Sequence, residues 1–162
     1  MESPNKDLES ILNDAILLGK FKSFCDYNDT KEKQSRLRTI FSRSLNYKKT
    51  IINLFNNEIK ETVSDHEAER LYPLIQAFLN KSKYRKQISD SIKIELLKQQ
   101  NNCCAICGKP IDISSHADHI IPFKYVGDEL SNNLQMLCSK CNTQKNASFD
   151  YQIRFLLKLC RS

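Results

Sequence analysis

Apolar residues recur at helical spacing throughout the N-terminal part of the chain. Ser3 is suited to cap a first helix and Pro4 to open it, because proline is tolerated in the first helical turn. Three successive segments then place their apolar residues three or four apart, which indicates amphipathic helices. The positions are Leu8, Leu12, Ala15 and Leu18, then Leu37, Ile40, Phe41 and Leu45, then Ile51, Ile52, Phe55 and Ile59.

A fourth helix is predicted where the sequence reads SDHE. Ser64 and Glu67 have the spacing of a capping box, and apolar residues at helical intervals follow them. Pro73 lies inside this pattern and is expected to kink or split the helix. A further helix over 89–100 leads directly into a pair of cysteines.

After the helix over 89–100, the apolar segments become shorter. Pieces around 117–121 and 134–137 resemble strands, and the segments after Cys138 and after Ser148 resemble helices. The fold class predicted for the whole chain is therefore α+β and mostly helical.

Composition and charge exclude few functional classes. The chain has 162 residues and a formal charge of +6. No apolar run approaches the ~20 residues of a membrane span, and the N-terminus lacks a signal pattern, so we expect a cytoplasmic protein without membrane association. Residues 31–49 hold seven Lys or Arg against one Glu, and residues 81–98 hold six against two acids. Charge alone favours solvated helix faces over a polyanion-binding site.

Four of the seven cysteines form two C-x-x-C pairs, CAIC (Cys104, Cys107) and CSKC (Cys138, Cys141). Each pair can bring two thiolates from one tight turn to a single tetrahedral Zn²⁺ at about 2.3 Å. A redox dithiol would need only one pair. The sequence therefore predicts a structural zinc site, and the other three cysteines lie outside it.

The two pairs are separated by more residues than a simple zinc ribbon needs, since residues 108–137 intervene. The insert contains HADHIIP, which holds His116, Asp118 and His119, two of the three histidines in the chain. A zinc ion is thus expected to join the two ends of a small hairpin that carries this cluster of polar residues.

The stretch CAICGKPIDISSHADHIIPFKYVGDELSNNLQMLCSKCNTQKNAS, residues 104–148, resembles an HNH nuclease domain of the ββα-metal type with a four-cysteine zinc site. The resemblance covers a little over a quarter of the chain. The chain is therefore expected to consist of a helical region over 1–95, serving substrate binding or dimerisation, and an HNH domain over 96–162 with zinc knuckles and a C-terminal helix.

The resemblance also implies residue roles. His119 would be the general base that takes a proton from water attacking a phosphodiester, a role that imidazole suits near neutral pH. Asp118 and Asn142 would ligate a catalytic Mg²⁺ or Mn²⁺, because hard ions prefer oxygen ligands. Asn133 would hold the loop so that His119 is aimed correctly.

Two further residues are candidates for substrate contact. Lys145 lies three residues after Asn142 on the same helix face and is expected to contact a phosphate. His116 is either a phosphate or metal contact or a polar edge-strand side chain, and the second interpretation is favoured. Many relatives have histidine at the position of Asn142, and the glycine pair usual in the turn is reduced here to Gly127. Asp118 and His119 are adjacent, so they can share a site only if the strand bends or ends there.

The function predicted from these residues is metal-dependent endonuclease activity on DNA, as in a restriction or phage-defence enzyme, with a homodimer as one arrangement. Two alternatives remain. One is a catalytically silent zinc module that binds nucleic acid or protein. The other keeps the chemistry but acts on RNA, for which no aromatic RNA-binding motif is visible.

Overall fold

A computed structural model describes residues 8–160. Within that range the fold is mostly helical, with a single small antiparallel sheet, so the predicted α+β class is confirmed. No helix in that range is long and apolar enough to cross a membrane. The elements in chain order are α1 (Leu8–Tyr27), α2 (Lys31–Arg43), α3 (Tyr47–Leu54), α4 (Asp65–Asn80), α5 (Asp90–Gln99), β1 (His116–His119), α6 (Phe123–Val126), β2 (Leu134–Leu137), α7 (Ser139–Lys145) and α8 (Phe149–Leu159).

The N-terminal helices begin and end largely as the apolar pattern predicts. The start expected at Ser3 and Pro4 lies outside the described residues. Ser64 and Glu67 form the predicted capping box, each side chain bonding the other's backbone N–H. Helix α4 runs without interruption through Pro73, so the proline does not split it.

The third predicted helix changes from α-helical to π-helical near its end. Helix α3 stops at Leu54, and a π-helical turn over Phe55–Ile59 follows it. Lys60, in the left-handed conformation with φ of 64°, ends this turn. The wider turn keeps Phe55 fully buried, stacked on Phe24 with ring centroids 5.7 Å apart.

One hydrophobic core joins the helical region to the C-terminal third of the chain. Phe21, Phe24 and Phe55 lie in the same buried cluster as Ile121, Val126 and Phe149. Helix α1 packs along α8, and the rings of Phe21 and Phe149 are 6.0 Å apart. The segments on either side of the boundary expected at residue 95 are therefore packed together; their status as separate domains remains a prediction.

The sheet consists of β1 and β2 in antiparallel register, from His116 opposite Leu137 to His119 opposite Leu134. Regular pairing ends at His119. The chain then turns through Pro122 into the short helix α6, which the sequence did not predict, and this helix packs on α4. The strand end is thus fixed close to the N-terminal helices.

Candidate active site and metal centre

The four predicted zinc ligands meet at one point. The sulfur atoms of Cys104, Cys107, Cys138 and Cys141 all lie within 4.8 Å of one another, and those of Cys107 and Cys138 are 3.8 Å apart. Four ligands at about 2.3 Å in tetrahedral geometry would be separated by about 3.8 Å, so the cluster has the dimensions of a closed ZnS₄ site. Within residues 8–160 no other group of three or more His, Cys, Asp or Glu side chains brings its ligand atoms this close together.

Local backbone geometry favours the thiolate form of one of these cysteines, Cys104. Burial raises the pKa of the Cys104 thiol, but backbone N–H groups of Cys107, Cys138 and Ile106 outweigh this effect and lower it to about 6. Burial and the neighbouring thiols raise the pKa of Cys141. Since thiolates are the form that binds zinc, metal binding must release protons from this cluster.

The end of β1 is held by Asn133. Its Oδ1 accepts a hydrogen bond from the Ile121 N–H at 2.8 Å, and its Nδ2 donates to the Ile121 carbonyl at 2.9 Å. The Ile120 N–H donates to the Asn133 carbonyl at 2.8 Å. These contacts replace the strand pairing just beyond His119, which is the position expected for a loop-holding asparagine.

His119 is buried, and its ring is bonded to a carboxylate. Its Nε2 lies 2.7 Å from Oδ1 of Asp128, and its ring makes an edge contact with Phe123 at 5.6 Å. The other carboxylate oxygen of Asp128 accepts from the Lys86 N–H at 2.7 Å. Burial opposes ionisation of Asp128, but the bonds from Lys86 and His119 outweigh it and hold the pKa of Asp128 below its usual value.

The ionised carboxylate determines which ring nitrogen of neutral His119 carries the proton. A carboxylate only accepts hydrogen bonds, so Nε2 must be the donor and Nδ1 must hold the free lone pair. A cavity of about 250 Å³ lies beside this pair, lined by His119, Asp128 and Asn133 and by residues of α5. Nδ1 is therefore the nitrogen of His119 that is able to take up a proton.

Asp118 faces different partners from those of its neighbour His119. Its Oδ2 forms an ion pair with Nζ of Lys145 at 2.9 Å and accepts from Nε2 of Gln135 at 3.3 Å. Lys145 is only 1% exposed and also donates to the His119 carbonyl at 2.7 Å. The lysine expected to contact a phosphate thus has its ammonium group inside the protein, where it ties α7 to β1.

Asn142 and His116 are close to zinc-ligand cysteines: Asn142 follows Cys141 in α7, and His116 contacts Ser139, the residue after Cys138. Asn142 is half-buried in α7, one turn before Lys145. The N-cap of α7 is Cys138, whose sulfur accepts from the Cys141 N–H, so Asn142 does not cap this helix. His116 is exposed at the start of β1 and bonds the Ser139 hydroxyl at 3.1 Å; its polar edge-strand role remains a prediction.

The residues expected to hold a catalytic ion offer suitable atoms. Asp118 is 17% exposed, and its Oδ1 has no hydrogen-bond partner within the described part of the chain. The side-chain amide of Asn142 has none there either. A carboxylate oxygen and an amide oxygen are ligands that Mg²⁺ or Mn²⁺ accepts, so the donor set fits a hard divalent cation.

Gly127 lets the segment after α4 approach the loop that carries Asp128. Its φ is +60°, and a Cβ built on it would lie 2.9 Å from Cβ and 3.3 Å from Cα of Lys81. Only glycine tolerates both the backbone conformation and this contact. The approach brings Lys86 close enough to bind Asp128.

The residues described above follow one another along the chain in a fixed order: a cysteine pair, Asp118 and His119, Asn133, and a second cysteine pair followed by Asn142. Residues 104–148 match the family model for HNH endonuclease. The HNH segment contains both zinc knuckles, both strands and α7. No curated protein and no solved structure matches the chain.

Sequence reasoning missed Asp128, the carboxylate that binds the His119 ring. Asp128 belongs to no motif that we could recognise, and its only signal is its place directly after Gly127 in a turn. Its two partners, Lys86 and His119, are 42 and 9 residues away. Helical or strand periodicity does not report contacts of this kind.

Proposed function

We propose that the protein is a metal-dependent endonuclease that hydrolyses phosphodiester bonds of DNA, with its catalytic centre in the HNH segment. The observation that carries the proposal is the buried ring of His119, the last residue of β1. Its Nε2 is held by the carboxylate of Asp128, which can only accept hydrogen bonds. A role in restriction or phage defence remains a prediction.

His119 acts in this proposal as the general base. Its Nδ1 takes a proton from a water molecule while the water oxygen forms a bond to phosphorus and the bond from phosphorus to the leaving oxygen breaks. The departing oxygen receives a proton from solvent. General-base catalysis of this kind contributes about 10²–10⁴-fold to a rate.

Three neighbouring residues position the base. Asp128 selects the Nε2–H form and holds the ring, Asn133 fixes the loop that begins after the ring, and Lys145 holds the His119 carbonyl. Because none of the three is proposed to contact the reacting atoms, they are positioning residues.

Asp118 and Asn142 are proposed to hold the divalent cation. When bound, Mg²⁺ or Mn²⁺ neutralises negative charge on the scissile phosphate and on the leaving oxygen. Lys145 occupies one oxygen of Asp118, which leaves Oδ1 as the ligand atom. The cysteine cluster has four protein ligands and no open position, so zinc serves the fold and not the reaction.

The test is cleavage of supercoiled plasmid by zinc-loaded protein in the presence of Mg²⁺, with single-stranded RNA as a second substrate. His119→Ala should lower the DNA cleavage rate by about 10²–10⁴-fold with zinc content and folding unchanged. His66→Ala is the matched control, because His66 is exposed in the first turn of α4 and should leave cleavage unchanged.

Three results would count against the proposal. Cleavage by His119→Ala at the wild-type rate would remove His119 from the base role. Cleavage of RNA alone would replace DNA as the substrate. Failure of the zinc-loaded wild type to cleave either nucleic acid would favour the catalytically silent zinc module.

A further inference from the structure

A basic groove runs across the junction of the helical region and the HNH segment. It has a volume of about 630 Å³ and lies between α2, the end of α4 and the start of α6. Its charged lining residues are all cations: Lys31, Arg38, Lys81, Lys83 and Lys124. None of these five takes part in an ion pair with another residue in the range 8–160.

Several of these cations are held in place by the protein. The guanidinium of Arg38 donates to the Leu79 carbonyl from Nε at 3.0 Å and from Nη2 at 2.6 Å, which joins α2 to the end of α4. The ammonium of Lys81 lies 4.4 Å above the ring of Phe78. Pre-positioned cations lose little side-chain freedom when an anion binds, so the groove is suited to anion binding.

The surroundings of Lys81 also favour binding of an anion in the groove. Burial lowers the pKa of its ammonium, and Arg38 acts in the same direction, whereas Asp29 opposes them. A bound anion would offset the repulsion between neighbouring cations and the loss of solvation.

One residue of the groove also contacts the proposed base. Phe123 lines the groove and also contacts the His119 ring at 5.6 Å. The guanidinium of Arg85 lies 5.0 Å above the same Phe123 ring, and Lys86 binds Asp128 through its backbone N–H. A polyanion lying in the groove would therefore lie beside the residues that contact His119 and Asp128.

We propose that this groove binds the sugar-phosphate backbone of the duplex DNA cleaved at the HNH segment, and the proposal rests on the function proposed above. Phosphates are the anions that recur along such a substrate, and lysine and arginine are their usual contacts. The lining has no acidic side chain and few groups able to read base edges, so binding here depends on salt and not on base sequence. The helical region thereby becomes part of the substrate-binding surface.

The test removes three exposed cations of the groove at once, in the variant Lys31→Gln, Lys83→Gln, Lys124→Gln. Affinity for a labelled DNA duplex is measured without added Mg²⁺ over a range of salt concentrations, and cleavage is measured separately with Mg²⁺. Each lost phosphate contact removes about 0.9 from the slope of log affinity against log salt, so the triple variant should lose about 3 units of slope. Its affinity at moderate salt should fall at least about 10-fold.

The matched control removes the same charge from lysines that lie on three other helices. Lys49, Lys98 and Lys158 are exposed and form no ion pair within the described residues, and their replacement by Gln should change affinity and slope far less. The unfolding midpoint of each variant shows that the fold is intact.

The outcomes separate this proposal from the proposed function. If the groove variant binds like wild type, if both triples lose affinity equally, or if only RNA binding falls, the groove is not the DNA site. Wild-type cleavage would in those cases leave the nuclease proposal standing. If wild type binds DNA through the groove but never cleaves it, the groove proposal stands and the nuclease proposal falls.

Discussion

Replacing Asp128 with asparagine should inactivate the base while leaving its position almost unchanged. In the native protein the two carboxylate oxygens accept from Nε2 of His119 and from the backbone N–H of Lys86. Asparagine has only one oxygen. Because a backbone N–H can only donate, the oxygen must serve Lys86, and the amide nitrogen then faces His119 as a donor.

The consequence for His119 is a change of tautomer. Its Nε2 would have to accept a hydrogen bond, which moves the ring proton to Nδ1 and removes the lone pair that is proposed to take the proton from water. We expect kcat for DNA cleavage to fall about 10²–10⁴-fold, the range of a lost or mis-protonated general base. KM should change little, since Asp128 is not proposed to contact DNA.

The effect on stability should be at most as large as the effect on rate, because a 10²–10⁴-fold loss of rate corresponds to about 3–5 kcal/mol. Hydrogen bonds to a charged group contribute about 1.5–3 kcal/mol and neutral ones about 0.5–1.5 kcal/mol, so exchanging two should cost about 2–3 kcal/mol. The pKa of Asp128 is lowered in the folded state, so its charge stabilises the fold above about pH 3.9, and this contribution is lost as pH falls further. The stability difference between wild type and Asp128→Asn should therefore shrink in acid.

The assay pairs steady-state plasmid cleavage with urea unfolding, using Asp26→Asn as the control. Asp26 makes an exposed ion pair with Lys22 on α1, away from the HNH segment, so its loss should leave kcat unchanged and cost less than about 1 kcal/mol. Wild-type kcat in folded Asp128→Asn would refute the tautomer argument.

Three other substitutions test the remaining structural claims. Cys138→Ser should remove zinc from the protein and lower its melting temperature by at least about 10 °C, because zinc binding contributes folding energy; a zinc-free variant that melts like wild type would contradict the structural role. Asn142→Ala should weaken the apparent Mg²⁺ affinity of cleavage, whereas Asn142→His should keep activity and shift preference toward Mn²⁺, Co²⁺ or Ni²⁺; titrations that coincide with wild type would remove Asn142 from the ion site. Gly127→Ala should cost about 2–4 kcal/mol in urea unfolding, because its φ and its contact with Lys81 both exclude a Cβ; an unchanged midpoint would show that the loop can move aside.

Sequence patterns were sufficient where the physical cause is local. The capping box at Ser64 follows from side chains three residues apart, and each cysteine pair reaches one metal from a single turn. The main helices and both strands follow from periodicity in the apolar residues. Such features depend on neighbours that the sequence itself places together.

The remainder depends on contacts between distant segments. Lys145 was expected to contact a phosphate because of its position on α7. Periodicity cannot show that the Lys145 ammonium instead contacts the His119 carbonyl and the Asp118 carboxylate. Asp128 binds Lys86 across 42 positions, and nothing in the sequence around either residue indicates the other. The short helix α6 was missed because four residues give too little pattern for a prediction.

The core shared between α1, α4 and the end of the chain has a practical consequence for anyone who wishes to isolate the nuclease motif. A fragment beginning near residue 96 would leave Ile121, Val126 and Phe149 without the helices that cover them. Such a fragment would present an apolar face to water and tend to aggregate, even with zinc bound. The HNH segment of this protein is therefore not expected to fold on its own. Transfer of the segment to another protein would require new helices to cover its apolar face.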